Sequence, residues 1–274
     1  MADAALPTTV KDVLAALDEV VDWSIEKQSR LGYFAAMYRT VTSKVAEGIE
    51  GGYFDDGPRM ARLDVCFANR YLAALAAFDD GGRPTRSWEL AFEAGGAARL
   101  LILQHLLLGI NAHINLDLGI AAATTSPGEE LPALRRDFDR INEILALLIG
   151  GVERDLGEVS PWIRFLSAVG GRHDEEVVRF SIEVARTEAW RFATELAPLD
   201  PADWAGPIGA RDARVARLAR RVTNPGWLTA ALLLIRSRES NDVARNIEAL
   251  RNAPGPDLAV VERRARQARA DPAP

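Results

Sequence analysis

Apolar residues recur at helical spacing along most of the chain, with polar residues between them. The first such segment has apolar residues one, three or four positions apart: Val10, Val13, Leu14, Leu17, Val20 and Val21. A threonine that can cap a helix, Thr8 or Thr9, precedes them. Alternating β-branched runs, which are typical of strands, are few or absent. The pattern therefore predicts an all-α protein, a bundle of about eight to ten helices.

Turn-forming residues divide this pattern into elements. Glycine, proline and aspartate cluster between the apolar segments, and Pro58 stands where a helix is expected to begin. The predicted helices span roughly residues 10–31, 33–47, 59–78, 88–93, 101–123, 134–155, 174–196, 211–222, 227–251 and 258–270, with a further segment starting near 160.

The proline-rich stretch from Pro198 to Pro207 is the best place for a domain boundary. With a boundary there, the helices from about residue 211 would form a packed subdomain. The apolar run from Trp227 to Ile235 is nevertheless expected to return to the same core. The sequence therefore favours a single all-α domain over residues 1–274.

The segment from Leu101 to Ala123 is expected to be the central, buried helix of the bundle. It is strongly apolar, yet it carries six polar side chains: Gln104, His105, Asn111, His113, Asn115 and Asp117. On a helical projection, Gln104, Asn111 and Asn115 share one side, and His113 and Asp117 lie nearly opposite. Because no face is wholly polar or wholly apolar, we expect other helices to surround it, and its small residues permit close approach: Gly109, Ala112 and Gly119.

A membrane span is the competing interpretation of this segment, because about 20 apolar residues suffice to cross a bilayer. The buried histidines, aspartate and asparagines argue against a span, since each is costly in lipid. No cluster of Lys and Arg abuts either end. The first 20 residues lack the basic and apolar regions of a signal peptide, so a cytoplasmic location is expected.

Composition narrows the class of protein. Apolar residues make up 48% and charged residues 26%, which is ordinary for a globular protein. The net charge of −6 argues against a nucleic-acid partner. The single Cys66 excludes an intrachain disulfide and is expected to be a buried, inert thiol. Abundant arginine and alanine are associated with GC-rich bacterial genomes. The arginine-rich stretch from Arg211 to Arg221 is either a solvated face or a surface for a partner or an anion.

His113 and Asp117 are the candidate catalytic residues. Their i, i+4 spacing places both side chains on one helix face, about one turn apart. Three interpretations stay open: a shared metal ion, an aspartate that orients a histidine general base, or a structural hydrogen bond inside the bundle. His105, Asn111 and Asn115 are expected to position substrate, as are Asn69 and Arg70 from the helix near residue 64.

Any metal site in this chain is expected to depend on carboxylates. The only histidine outside the central segment is His173, so a closed structural zinc site is not expected. The metal candidates are His113 and Asp117, and the first choice for a further ligand is Asp64 or Glu89. The full set of carboxylates that could join them is Asp64, Glu89, Glu93, Glu183 and Glu188. Such oxygen-rich ligands suit iron, manganese or magnesium. No motif for a nucleotide cofactor is present.

Four short runs carry a resemblance to other proteins: GINAHINLDLG from Gly109 to Gly119, FANRYL, PTRSWELAF and DFDRIN. Together they resemble an uncharacterised bacterial family of the domain-of-unknown-function kind, and the similarity extends through about residue 195. This resemblance implies an all-α fold and no established activity.

Two further resemblances concern metal-dependent enzymes. Gly109, His113 and Asp117 are similar to the G-x-x-x-H-x-x-x-D helix of zinc-dependent phospholipases C and nucleases, although the other histidines of that three-metal site have no counterparts here. The segment RESNDVARNIEAL, with Asn241, Asp242, Arg245 and Glu248, resembles the metal-binding element of class I terpene cyclases. It lacks the Ser or Thr of that element and the D-D-x-x-D partner.

The sequence thus favours an enzyme that acts on a small, partly apolar molecule at a buried His/Asp/Asn site. The reaction is open between hydrolysis, cyclisation and other acid–base chemistry. The alternatives are a non-catalytic module that binds a small molecule or a protein, and a metal-dependent hydrolase or terpene-cyclase-like enzyme.

Overall fold

A computed structural model describes residues 5–141, 144, 182–226 and 229–252, and within these ranges it contains helices and no strand. The all-α prediction is therefore confirmed. The helices are α1 (Val10–Glu26), α2 (Gly32–Glu50), α3 (Gly57–Asp79), α4 (Arg86–Glu93), α5 (Ile102–Ala112), α6 (Leu118–Thr125), α7 (Ile182–Leu196), α8 (Ala205–Thr223), α9 (Thr229–Arg236) and α10 (Val243–Arg251). Residues 131–141 are also helical, and short 3-10 turns occupy Ala94–Gly96, Gly128–Glu130 and Pro201–Asp203.

The side chains that precede the helices satisfy the free N–H groups of the first turns. At α1, the Thr9 hydroxyl accepts from the Asp12 amide at 3.1 Å, and the Asp12 carboxylate accepts from the Thr9 amide at 3.0 Å. At α3, Asp56 accepts from the Arg59 amide at 2.9 Å, and Pro58 occupies the first turn. The helix starts predicted at Thr9 and Pro58 are therefore confirmed.

The central segment is buried as expected, but it is not one continuous α-helix. Between α5 and α6 lies a π-helical turn, His113–Asp117, in which the backbone bonds widen to i+5 spacing. Helices α2, α4 and α8 pack against α5, and α3, α7 and α8 pack against the π-turn. Surrounding helices thus cover the segment on several sides, and the π-turn lies among three of them.

Two glycines permit this close packing. A Cβ atom on Gly109 would collide with the Phe34 ring of α2. A Cβ on Gly119 would lie 2.7 Å from the Ala189 carbonyl oxygen of α7. The expectation that small residues let neighbours approach the central segment is confirmed at both positions.

One stretch of the described chain, Ile102–Thr125, is long and apolar enough to cross a membrane by length and composition alone. It contains most of the central segment, and 83% of its most apolar window is buried by the rest of the protein. The burial matches a core helix, and no clear membrane span is present among the described residues.

Several predicted boundaries were wrong. α1 ends at Glu26 rather than near residue 31. α8 begins at Ala205, inside the stretch expected to be a proline-rich loop, because Pro207 falls in the first turn, where helices tolerate proline. The helix predicted over 227–251 is divided, and between α9 and α10 the Glu239 carboxylate accepts from the Ile102 amide at 3.1 Å, at the start of α5. The helix predicted over 258–270, the segment near 160 and His173 lie outside the described residues.

Candidate functional site

The Asp117 carboxylate, at the end of the π-turn, is the centre of the candidate site. Its side chain is 1% exposed. Oδ1 accepts a hydrogen bond from Arg70 Nε of α3 at 2.7 Å, and Oδ2 accepts one from Trp88 Nε1 of α4 at 2.7 Å. His113 Nδ1 lies 3.4 Å from the same Oδ2. Two helices distant in sequence therefore hold the carboxylate in place beside the histidine.

Aromatic rings enclose the His113 side chain. The Phe67 ring stacks on the imidazole with 3.5 Å between centroids and 8° between planes. Tyr38 meets it edge-on at 4.5 Å, and three more rings lie within 6.3 Å: Phe34, Tyr71 and Trp88. This burial lowers the pKa of His113 and outweighs the opposing effect of Asp117. The imidazole is therefore neutral at neutral pH.

A neutral imidazole has one N–H and one free lone pair. The carboxylate beside Nδ1 favours the tautomer in which Nδ1 carries the proton and donates to Asp117. In that tautomer Nε2 is a hydrogen-bond acceptor. Nε2 is buried and has no hydrogen-bond partner among the described residues. The structure thus presents an oriented imidazole with its basic nitrogen unoccupied.

Three more buried polar atoms, on α2 and on the α3 helix that packs against it and against the π-turn, lack hydrogen-bond partners in the described part of the chain: Tyr38 Oη, Thr42 Oγ1 and Asp64 Oδ2. Thr42 follows Tyr38 by one turn of α2 and lies close enough to affect its pKa, although the two hydroxyls do not meet in hydrogen-bond geometry. Burial raises the pKa of Tyr38, and the charge of Asp64 adds to that rise. Burial raises the pKa of Asp64 itself to about 7. Together with His113 Nε2, these atoms form what we call the orphan cluster.

The model of a family of unknown function (DUF5995) matches residues 10–225. The chain belongs to this family. The matched region runs from the first residue of α1 to just beyond α8, so it contains every residue of the candidate site, and it extends beyond the limit near residue 195 expected from sequence. Searches of curated proteins and of solved structures found no match.

Of the residues predicted to position substrate in this DUF5995 chain, the structure brings only Arg70 to the dyad. Asn111 Nδ2 donates to the Val215 carbonyl of α8 at 3.0 Å, and Asn115 Nδ2 donates to Asn111 Oδ1 at 3.1 Å. Asn69 Nδ2 donates to the Pro7 carbonyl at 2.9 Å. The two asparagines of the central segment therefore face α8, on the side opposite the dyad, where they join helices.

His105 lies apart from the dyad, about two helical turns before His113. Its ring meets the Tyr33 ring at 5.7 Å, and Nε2 has no partner among the described residues. Burial, with smaller contributions from Arg30 and Arg236, lowers the pKa of His105 to about 3. The structure therefore gives His105 a neutral imidazole in a separate part of the core.

The carboxylates do not gather around His113 as a metal site requires. In the described ranges no three His, Cys, Asp or Glu side chains are grouped in a way that could hold an ion. Both Asp117 oxygens already accept hydrogen bonds, one from Arg70 and one from Trp88, so neither is free to bind an ion. Elsewhere Glu188 pairs with Arg191, Glu93 is exposed, and the side chain of Glu183 lies outside the described set. The donor set is a poor fit for a metal.

The segment that resembles terpene cyclases also lies away from the site. Asp242 caps α10 by accepting from the Arg245 amide at 3.0 Å, and Asn241 accepts from Arg236 at 2.7 Å. Both residues are exposed. Their side chains are used in local capping and pairing.

Sequence reasoning missed Tyr38, Thr42, Phe67 and Trp88. For two of them a signal existed: Tyr38 and Thr42 are polar residues one turn apart on an otherwise apolar helix face, the same pattern that singled out His113 and Asp117. Nothing in the sequence pairs Trp88 with Asp117, because the two residues are 29 positions apart and belong to different helices.

Proposed function

We propose that this chain is an enzyme that performs acid–base chemistry on a small, partly apolar molecule, with His113 as the general base. One observation carries the proposal: Nε2 of a neutral, buried imidazole is unoccupied while Asp117 orients the opposite edge of the ring. A buried acceptor without a hydrogen-bond partner destabilises the folded state, so packing alone gives no reason for this nitrogen to be unpaired.

The residues around the dyad have distinct roles in this proposal. Nε2 accepts the proton of the reacting group, and Asp117 stabilises the imidazolium that forms. Arg70 and Trp88 hold the Asp117 carboxylate at 2.7 Å each, so the dyad is fixed before a substrate binds. They are positioning residues in this scheme.

The aromatic surroundings support a small substrate with an apolar body. Phe67, which stacks on His113, is itself only half-buried, and it therefore separates the imidazole from solvent. We propose that substrate reaches Nε2 by displacing the Phe67 ring. A cytoplasmic location and the absence of nucleic-acid partners remain part of the same proposal.

A non-catalytic binding protein is the second candidate function. The enclosure of His113 by five aromatic rings favours it, since a ligand held in such a cage would be well sequestered. The two candidates differ in whether the ligand leaves chemically changed.

A metabolite-consumption experiment tests the proposal. Small molecules extracted from the cells that express the protein are incubated with wild type, His113→Gln or no protein, and followed by mass spectrometry. We expect at least one molecule to be consumed by wild type, and consumed about 100-fold more slowly or not at all by His113→Gln. The Arg135–Asp139 pair is exposed, so Asp139→Asn serves as the control and should match wild type.

Equal turnover by His113→Gln and wild type would exclude His113 as the base. A molecule that both proteins retain but neither changes would establish the binding role instead. Circular dichroism and cooperative unfolding of each variant ensure that a loss of turnover does not reflect a loss of fold.

A further inference from the structure

The orphan cluster contains more unpaired acceptors than the proposed base accounts for. Tyr38 is 4% exposed, Thr42 0%, Asp64 7% and His113 3%. None of the four polar atoms concerned makes a hydrogen bond or ion pair with a described residue. Proteins pair nearly all buried polar atoms, so unpaired atoms on α2, α3 and the π-turn, where α3 packs against the other two, indicate a missing partner.

The four groups belong to elements that pack together, since α3, which carries Asp64, packs against α2 and against the π-turn. The Tyr38 ring meets the His113 ring edge-on at 4.5 Å, and Thr42 follows Tyr38 by one turn of α2. Asp64 precedes Phe67 by three residues on α3, so it shares the helix face that carries the ring stacked on His113. The charge of Asp64 acts on Tyr38. One small group could therefore contact several of these atoms.

The chemistry of these atoms specifies that group. His113 Nε2 and the Asp64 carboxylate accept hydrogen bonds, and each hydroxyl oxygen can also accept one. Arg70 is already paired with Asp117, so Asp64 is left without a counter-charge in the described chain. Aromatic rings surround His113, and the faces of aromatic rings attract cations. Acceptors, an unpaired carboxylate and aromatic rings together are complementary to a protonated amine.

We propose that the orphan cluster binds the ammonium group of a small amine, with Asp64 as its counter-ion, Tyr38 and Thr42 as further acceptors, and the aromatic rings around its apolar body. The proposal names the substrate class of the site proposed above, and it rests on that function only in sharing His113. An uncharged ligand would leave Asp64 unpaired, and an anionic ligand would be repelled by it.

Paired amines and alcohols of increasing size test the assignment. The probes are methylamine, butylamine and benzylamine, each compared with the alcohol of the same carbon skeleton. Binding to the full chain is measured by calorimetry and by the rise in melting temperature. We expect at least one amine to bind at least tenfold more tightly than its alcohol. Failure of all three amines to bind, or alcohols that bind as well as amines, would overturn the proposal.

Three near-isosteric variants locate the binding site. Asp64→Asn is expected to remove the preference for amine over alcohol, and Tyr38→Phe and Thr42→Val are each expected to weaken amine binding. Asp139→Asn, which removes an exposed carboxylate paired with Arg135, is the matched control and should bind amines as wild type does. If Asp64→Asn does not fold, the effects of Tyr38→Phe and Thr42→Val on amine binding still test whether the amine binds at the orphan cluster. Amine binding that survives all three changes would place the ligand elsewhere and refute the assignment.

The result is separable from the test of catalysis. Amine binding that depends on Asp64, without turnover that depends on His113, would leave the ligand assignment standing and reject the enzyme. Turnover of an uncharged metabolite that depends on His113, without amine binding, would support the enzyme and reject the assignment of an amine ligand.

Discussion

The indole N–H of Trp88 donates to Asp117 Oδ2 over 2.7 Å, and both side chains are 1% exposed. The same oxygen lies 3.4 Å from His113 Nδ1, so a residue of α4 helps to fix the carboxylate that orients the histidine. Arg70 on α3 holds the other oxygen at 2.7 Å. The dyad therefore depends on the packing of two helices against the π-turn.

Replacing Asp117 with asparagine should destabilise the fold strongly. The side-chain amide would offer one acceptor oxygen where two donors now converge, and it would leave the half-buried Arg70 without its counter-charge. We expect the free energy of unfolding of Asp117→Asn to fall by about 3 kcal/mol, measured by urea denaturation. The control is Glu26→Gln, whose carboxylate and partner Lys27 are both exposed, and this change should have little effect. Similar losses in the two variants would contradict the structural role given to Asp117.

Adding a methyl group at Gly119 should also destabilise the protein. The new Cβ would lie 2.7 Å from the Ala189 backbone oxygen and 2.9 Å from the Phe192 ring, so α6 and α7 would have to separate. We expect Gly119→Ala to lower the free energy of unfolding by about 1–3 kcal/mol. Gly209→Ala is the matched control: it lies within α8 with nothing within 4 Å of the new Cβ, and it should stabilise by about 0.5–1 kcal/mol. A stable Gly119→Ala protein would show that the two helices are not in such close contact.

Acid should remove stability through His105. Its pKa is about 3 in the folded protein and about 6.5 when unperturbed, so between these values the unfolded chain binds more protons. Stability that is present above about pH 6.5 is therefore lost as the pH falls toward 3, by up to about 1.4 kcal/mol per pH unit. Unfolding measured from pH 7 downward should show a shallower loss in His105→Leu than in wild type. Parallel curves would mean that folding does not lower the pKa of His105. His113, whose pKa burial also lowers, should contribute in the same direction.

Asp64 should have the opposite dependence on pH. Its pKa is about 7 in the folded protein and 3.8 when unperturbed, so the folded chain binds more protons over that range. The contribution of the protonated Asp64 side chain to the free energy of unfolding is present below about pH 4 and is lost as the pH rises toward 7. Asp64→Asn, which stays neutral, should therefore gain stability relative to wild type as the pH is raised from about 4 to 7. Urea unfolding of both proteins at each pH gives the difference between them, and a difference that does not change with pH would contradict the prediction.

The regular part of the fold could be predicted because it depends on local patterns. The apolar spacing of Val10–Glu26, the cap at Thr9 and the proline at the start of α3 are properties of short segments, and all appear in the structure. The boundaries that failed depend on distant residues. The break between α9 and α10 includes Glu239, which accepts from the Ile102 amide 137 positions away, and no local signal reports that bond.

The candidate site divides in the same way. The pairing of His113 with Asp117 follows from their i, i+4 spacing, and the sequence also placed Asn111 and Asn115 on the opposite side, where they face α8. The sequence could not place His105 in a different part of the core or assign Asn69 to the Pro7 carbonyl, because these partners lie on other elements.

By itself, the sequence determined that this chain is helical, that its central segment is buried, and that His113 and Asp117 share one face of it. Only the tertiary structure decided that the segment forms a π-turn at these residues and that Arg70 and Trp88 hold Asp117. It also decided that Tyr38, Thr42 and Asp64, on two helices that pack together, have unpaired atoms in the described part of the chain. The physical reason is range: helical spacing is set by neighbours within one turn, whereas the side chains that meet across a bundle are chosen by how whole helices pack.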